Sequence, residues 1–261
     1  MLPIKKIYID SRDMNQSSSS HSDFKIDLPQ TVHLPEDTVA YIDDVCIPVS
    51  WYTIDEERNN KFYFRIDNSN YVANIPSGNY SITSLNNKLV ELMNNINNNF
   101  VAATRLNTNT ISIVSTLPTL SWNFEILTDE RAISFGYLEP LNSINTYLGN
   151  NTMQINNQLF PYVSGYVDLN PIRNVYITSG NLGSFHSMST KGDRGIIKKV
   201  PVRANYNEMI YDDAVLGIDY IDVSRQTLSR LEFQLKDSFG NIIDLHGNHW
   251  SCSLVFAKLK D

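Results

Sequence analysis

Cysteine, positive charge and long apolar runs are all scarce in this chain, and each shortage removes a class of function. Only two cysteines, Cys46 and Cys252, occur in 261 residues. That is too few for a disulfide-stapled secreted scaffold. Both sit inside apolar, strand-like runs, which predicts buried free thiols in a reducing compartment; a bridge between them would need Cα atoms within about 7 Å. Acidic residues outnumber basic ones, 28 to 21, giving a net charge of −7 and a pI near 5.2. A protein whose main work is neutralising phosphates needs clustered Lys and Arg. Here Lys198-Lys199, with Arg194 and Arg203 nearby, is the only basic run, so no direct contact with nucleic acid is expected. No stretch approaches the roughly 18 apolar residues of a membrane span. In the opening MLPIKKIYIDSRD, charges at Lys5, Lys6 and Asp10 interrupt any secretory signal core. The glycosylation-like triplets at Asn15, Asn79 and Asn150 therefore read as coincidences in an Asn-rich chain, made and kept in the cytosol or nucleus. Catalytic signatures are missing as well: there is no Gly-x-Ser-x-Gly, His-Glu-x-x-His, His-x-His or phosphate-cradling glycine loop.

What is present is material for a core, 42% apolar and 11% aromatic, enough for one large all-β domain or two small ones. The strongest pattern lies near the C-terminus. In Leu231–Leu235 and again from Trp250 to Phe256, apolar residues occupy every second position, the period of a half-buried strand. Between them KDSFGN (236–241) supplies turn chemistry, with Asp237 and Gly240 as its anchors and a positive φ expected at Gly240. Trp250, Cys252, Leu254 and Phe256 are expected to face the core and Ser251 and Ser253 the other side. A terminal strand this apolar belongs in the middle of a sheet, since an exposed edge of that kind invites aggregation.

Further strands are expected at 4–9, 24–28, 39–49, 61–66, 71–75, 100–104, 110–115, 122–127, 175–178, 195–202 and 209–211, with a weaker one at 153–155. Pro29 and Pro35 bracket a connection, and Pro48 marks a strand end. One clear change of period, Ile82, Leu85, Leu89, Leu92, Met93 and Ile96, predicts a helix over 81–96 with Ser84 as its N-cap candidate. The polar tract NQSSSSHS (15–22) reads as a tether, making residues 1–22 a flexible N-terminal arm. Ile4, Ile7 and Ile9 on that arm are expected to add a strand to a neighbouring subunit. The sum is an all-β fold, a single jelly-roll sandwich formed by residues 22–58 and 162–261, with 59–161 as an inserted α+β segment.

Several constellations carry the residue types of functional sites. His246 and His249, with Asp244 and Cys252, are metal-ligand types, yet they flank a glycine turn with no helix to align them; no metal and no cofactor is expected. The acid pairs Asp43-Asp44, Asp55-Glu56-Glu57 and Asp212-Asp213 have the residue types of a glycosidase, but adjacent acids on a strand point to opposite faces. Trp51-Tyr52 and Trp122 match a sugar-stacking platform, although aromatics in β-rich chains mostly fill cores. Lys191-Gly192-Asp193 is a candidate receptor-binding loop, set against a plain turn. No catalytic residue is expected.

Three segments together resemble the penton, or minor capsid, proteins of Polinton/Maverick elements, adintoviruses and their virophage relatives. They are IYIDSRDMNQSSSSHSDFKIDLP (7–29) with VAYIDDVCIPVSWYTIDEERNNKFYF (39–64), then IPSGNYSITSLNNKLVELMN (75–94), and finally NVYITSGNLGSFHSMSTKGDRGIIKKVPV (174–202) with LEFQLKDSFGNIIDLHGNHWSCSLVF (231–256). The resemblance implies a single jelly roll that forms a homopentamer at the fivefold vertices of an icosahedral virion. Its partners would be itself, the major capsid protein and, at the vertex, a spike or host receptor. The length fits one jelly roll plus an insertion better than the two jelly rolls of a major capsid protein. A trimeric jelly-roll spike, or a carbohydrate- or receptor-binding module, is the alternative that stays open.

Overall fold

The structure is a computed structural model that describes residues 2–56, 58–66, 68–96, 100–105, 108–115, 124–138, 141–149, 162–182, 195–215 and 220–258. Strands β1 (Leu2–Asp10), β2 (Asp23–His33) and β3 (Thr38–Pro48) come first. Then follow β4 (Lys61–Ile66), β5 (Ser69–Asn74), helix α1 (Ile82–Asn94), β6 (Phe100–Arg105), β7 (Thr110–Ser115), β8 (Phe124–Ile126), helix α2 (Asp129–Ser134) and β9 (Tyr162–Val163). The chain closes with β10 (Asn174–Thr178), β11 (Ile196–Pro201), β12 (Met209–Asp212), β13 (Ile221–Asp222), β14 (Thr227–Lys236) and β15 (Ser251–Lys258). It divides into two compact units, Met1–Trp51 with Ile172–Asp261, and Tyr52–Pro171. The expected interruption was 59–161; the second unit begins earlier and ends later. The weak strand expected at 153–155 lies outside the described residues.

The first unit is a jelly-roll sandwich. One sheet has the order β1-β15-β3-β12, with β13 added to one end of β3; the other runs β11-β10-β14-β2. Every neighbouring pair is antiparallel. The inward faces of both sheets supply one core. Period-2 patterning explains its membership: Leu231, Phe233 and Leu235 of β14, and Trp250 with Cys252, Leu254 and Phe256 of β15, are all buried. At the centre Trp250 meets Phe24 edge-on (5.6 Å, 72°) and Phe233 (6.3 Å, 89°), an arrangement that aromatic quadrupoles favour. The Trp250 indole N–H donates to the His21 carbonyl at 2.8 Å, so its polar edge is satisfied within the core. The turn after β14 is tied by Asp237, whose carboxylate accepts from Phe239 N (2.8 Å) and Asn241 N (3.0 Å), and Gly240 adopts φ 88°.

The other face of β15 is covered too. Val255 and Ala257 pack with Val39, Tyr41 and Tyr220 in a small outer cluster, and Ser253, expected on the side away from the core, is buried as well. The two cysteines lie on opposite faces of this sheet. Cys252 pairs with core-facing Val45, whereas Cys46 pairs with Ser251 and Tyr211, and both thiols are free. Burial pushes both thiols up from their usual pKa, so neither is a thiolate near neutrality.

Residues 1–22 do not form a detached arm. β1 pairs with β15 from Leu2 to Asp10, Ile9 is buried in the core, and Ile7 packs against it; Ile4 lies on the same strand. Ser11 is fully buried and accepts from Trp250 N at 3.0 Å. The serine tract is a folded turn rather than slack. Asn15 N donates to Lys25 O (2.8 Å), Lys25 N to Ser18 Oγ (2.9 Å) and Ser17 N to Asn15 Oδ1 (3.1 Å). Short polar side chains offer the backbone local partners, which composition alone reads as disorder. β2 likewise runs through Pro29, expected as its end. β2 is an edge strand, and opposite Leu228–Arg230 its register shifts, so Pro29 falls in a bulge where no ladder N–H is required.

The second unit holds two three-stranded sheets, β5-β4-β8 and β6-β7-β9, with α1 packed on β6 and β7. Its core includes Ile54, Phe62, Phe64, Leu85, Leu89, Met93, Ile111 and Ile113. Helix α1 is capped by Ser81, not Ser84. Ser84 N donates to Ser81 Oγ (3.2 Å) and Ser81 N to Ser84 Oγ (2.9 Å), a reciprocal box in which Ser84 takes the glutamate's usual place.

Two expectations follow. Phe256→Ala or Leu254→Ala opens a cavity between fully packed sheets and costs about 2 to 5 kcal/mol, read as a lower denaturant midpoint, whereas Ser251→Ala stays within about 0.5 kcal/mol. Deleting residues 1–10 strips β15 of one neighbour and lowers the melting temperature by at least about 5 °C; an unchanged value would restore the detachable arm.

Candidate functional site

The constellations picked from sequence do not converge. His246 and His249 are exposed in the turn before β15, with His246 at φ 51° and its N–H donating to Asp244 Oδ1 (2.7 Å), while Cys252 faces the core. Among the described residues no three His, Cys, Asp or Glu side chains group as metal ligands. Each acid pair is engaged by a cation of its own. Lys6 Nζ reaches Asp43 (2.6 Å) and Asp44 (3.5 Å), Arg58 reaches Asp55 (3.2 Å), and Lys198 reaches Asp212 (3.2 Å). Trp51 is buried in the sandwich core rather than offered to a sugar. Trp122, Glu57 and the Lys191-Gly192-Asp193 loop lie outside the described residues.

The feature that sequence reasoning missed is a cleft of about 540 Å³ on one flank of the sandwich, where edge strand β11 of one sheet faces edge strand β12 of the other. Lys198, Lys199, Arg203, Glu208, Tyr211 and Asp212 give it its chemistry. Its key is Lys198, only 4% exposed. A bulge between Lys198 and Ile196, opposite Ile177 and Thr178, breaks the alternation of β11, so that Ile197 and Lys198 are both buried. The Lys198 ammonium then spans from one sheet to the other. It donates to Ile42 O of β3 (3.4 Å) and Ala214 O (3.0 Å) and pairs with Asp212 Oδ2 (3.2 Å). Two carbonyls and a carboxylate thus surround the charge, which is how a buried ammonium is tolerated.

Lys198 is engaged by groups of its own chain, and among the described residues the lining holds no Ser, Cys or His. The remaining groups are exposed: Lys199, Arg203, Glu208 and Tyr211, the last 76% accessible. Mixed charge around an exposed aromatic is the make-up of a recognition surface. The reason it was illegible is local: KKV reads as a basic surface run until pairing with β10 sets Lys198 on the inward face beside Val200, opposite buried Ile177.

No family model matches the chain, and no curated protein sequence matches it. Among solved structures, the chain is similar to the crystal structure of the mavirus penton protein, with a TM-score of 0.57 at 10% sequence identity. The match covers 98% of this chain and 100% of that one. At that identity the likeness establishes a shared fold.

The ion pair across the flank gives a directional expectation. Asp212→Ala strands a buried ammonium and costs about 3 kcal/mol, the low end for a broken buried pair because Asp212 retains some solvent. Lys198→Met, which removes the charge and keeps the volume, costs less. Denaturant midpoints of the two variants rank them; equal losses would mean that packing, not charge, matters at this position.

Proposed function

We propose that this chain is a penton-type minor capsid protein of a virion, forming homopentamers that close the fivefold vertices of an icosahedral shell against the major capsid protein. One observation carries the reading: the similarity to the mavirus penton protein extends over both whole chains, interruption included, and not over a sandwich alone. The three sequence segments that resemble penton proteins of Polinton/Maverick elements, adintoviruses and virophages support it from an independent direction. The work proposed is structural, with no enzymatic step. Assembly would take place in host cytoplasm or nucleus. The acidic balance suits contacts with protein, with a vertex spike or host receptor as the outward partner, and the Lys191-Gly192-Asp193 loop is the proposed receptor element.

Native mass spectrometry of the purified chain tests this reading. A pentamer that joins shells when co-expressed with its major capsid protein is the expected result. A stable trimer would instead favour an attachment spike or a carbohydrate-binding module, and a monomer that never enters shells would exclude the vertex role.

A further inference from the structure

We infer that neighbouring copies join head to tail through the two open edges of one sheet, β1 of one copy lying antiparallel against β12 of the next. This rests on the proposal that the chain forms a ring. Among the described residues β1 pairs only with β15, and β12 only with β3, so the sheet β1-β15-β3-β12 ends in unpaired backbone on both sides. Unpaired edges are templates for strand addition.

Symmetry selects which edges can meet. A closed ring of more than two copies needs a heterologous contact, so β1 has to meet β12 rather than a second β1. Charge suits that joint: β1 carries exposed Lys5 and Lys6, whereas β12 ends in Asp212 and is flanked by Glu208 and Asp213. Two β12 edges would instead set acids against acids, unfavourable as cross-strand neighbours. Lys5 and Asp213 have no ion-pair partner among the described residues.

Direction and register agree with charge. Since all neighbours are antiparallel, β1 and β3 run one way, β15 and β12 the other. A copy rotated about an axis along the strands therefore presents β12 antiparallel to β1, and such a heterologous contact repeats around a closed ring. Tyr211, Cys46, Ser251 and Asp10 form one cross-strand row, which puts Tyr8, two residues from Asp10, on the same outer face as Tyr211. These are two of the most exposed large side chains of the sandwich, 79% and 76% accessible. Setting Tyr8 opposite Tyr211 also sets Lys6, which already holds Asp43 and Asp44, opposite Asp213, with unpaired Lys5 beside it, and buried Ile9 opposite buried Ile210. One register thus matches aromatic with aromatic, cation with anion and core with core.

The test is a chain carrying Tyr8→Cys and Tyr211→Cys in a Cys46→Ala background, oxidised mildly after assembly, with native mass measured in parallel. Residues directly opposed on antiparallel strands have Cα atoms about 4.5–5.5 Å apart, within reach of a disulfide. The expected result is a covalent ladder up to the full ring on non-reducing gels, with neither single variant cross-linking beyond background. A pentamer that forms without the ladder overturns the joint and leaves the vertex reading standing. Efficient dimers from Tyr8→Cys alone overturn it in favour of a twofold β1–β1 contact. A chain that is monomeric or trimeric in native mass, before any oxidation, overturns both. Asp213→Lys, a surface change that leaves the fold intact by circular dichroism, is expected to weaken assembly at least tenfold; undiminished assembly counts against the joint.

Discussion

β15 has to be flanked on both sides, and the sandwich is built to satisfy that demand. Its core face carries Cys252, Leu254 and Phe256, and its outer face Val255 and Ala257, so neither side tolerates water. β1 and β3 supply the hydrogen-bonding neighbours, Trp250 enters just before it, and the Phe24–Phe233–Trp250 cluster ties its sheet to the opposite one. What precedes β15 is arranged to meet it. The serine turn folds back so that Ser11 and His21 satisfy Trp250, and β3 bulges opposite Ser253 and Leu254 to keep its own apolar residues inward.

The flank with the cleft is held by a different force. There the sheets are joined by a lysine whose charge is balanced inside the protein, a costly device compared with a leucine. An apolar plug at Lys198 would fill the same space. Lys198 instead ties β11 to β3 and to the end of β12 through two backbone carbonyls and a carboxylate. Directed contacts of that kind fix relative position more tightly than apolar packing does.

Legibility in the sequence followed burial. Leu231–Leu235 and Trp250–Phe256 could be placed because one face is wholly apolar, which fixes both strand and register. The KDSFGN turn was readable because Asp237 and Gly240 each have one conformational job. Misreadings arose where polar residues act on backbone. The serines of residues 17–20 resemble a linker by composition, but Ser18 and Ser20 accept from main-chain N–H groups and Ser17 and Ser19 donate to Asn15 and Asp23, and Ser84 resembles a cap but is the partner of one. The bulges around Pro29 and Ile197 shift the period by residues that no count of alternation reveals. Opposite facing of Cys46 and Cys252 depends on pairing across some two hundred residues and was beyond reach of sequence alone.

That same distance bears on how the molecule comes into being. β1 finds its only partner among the described residues in β15, the first strand in the chain matched with the last. During synthesis the nascent β1 therefore waits, with Ile9 uncovered, while both the remainder of the sandwich and the whole second unit emerge from the ribosome. Closing so long a loop is slow, and the waiting species exposes apolar strands. Lys5 and Lys6, just ahead of Ile7 on that strand, set charge beside its apolar residues throughout the wait, and only when the sandwich closes does Lys6 meet Asp43 and Asp44.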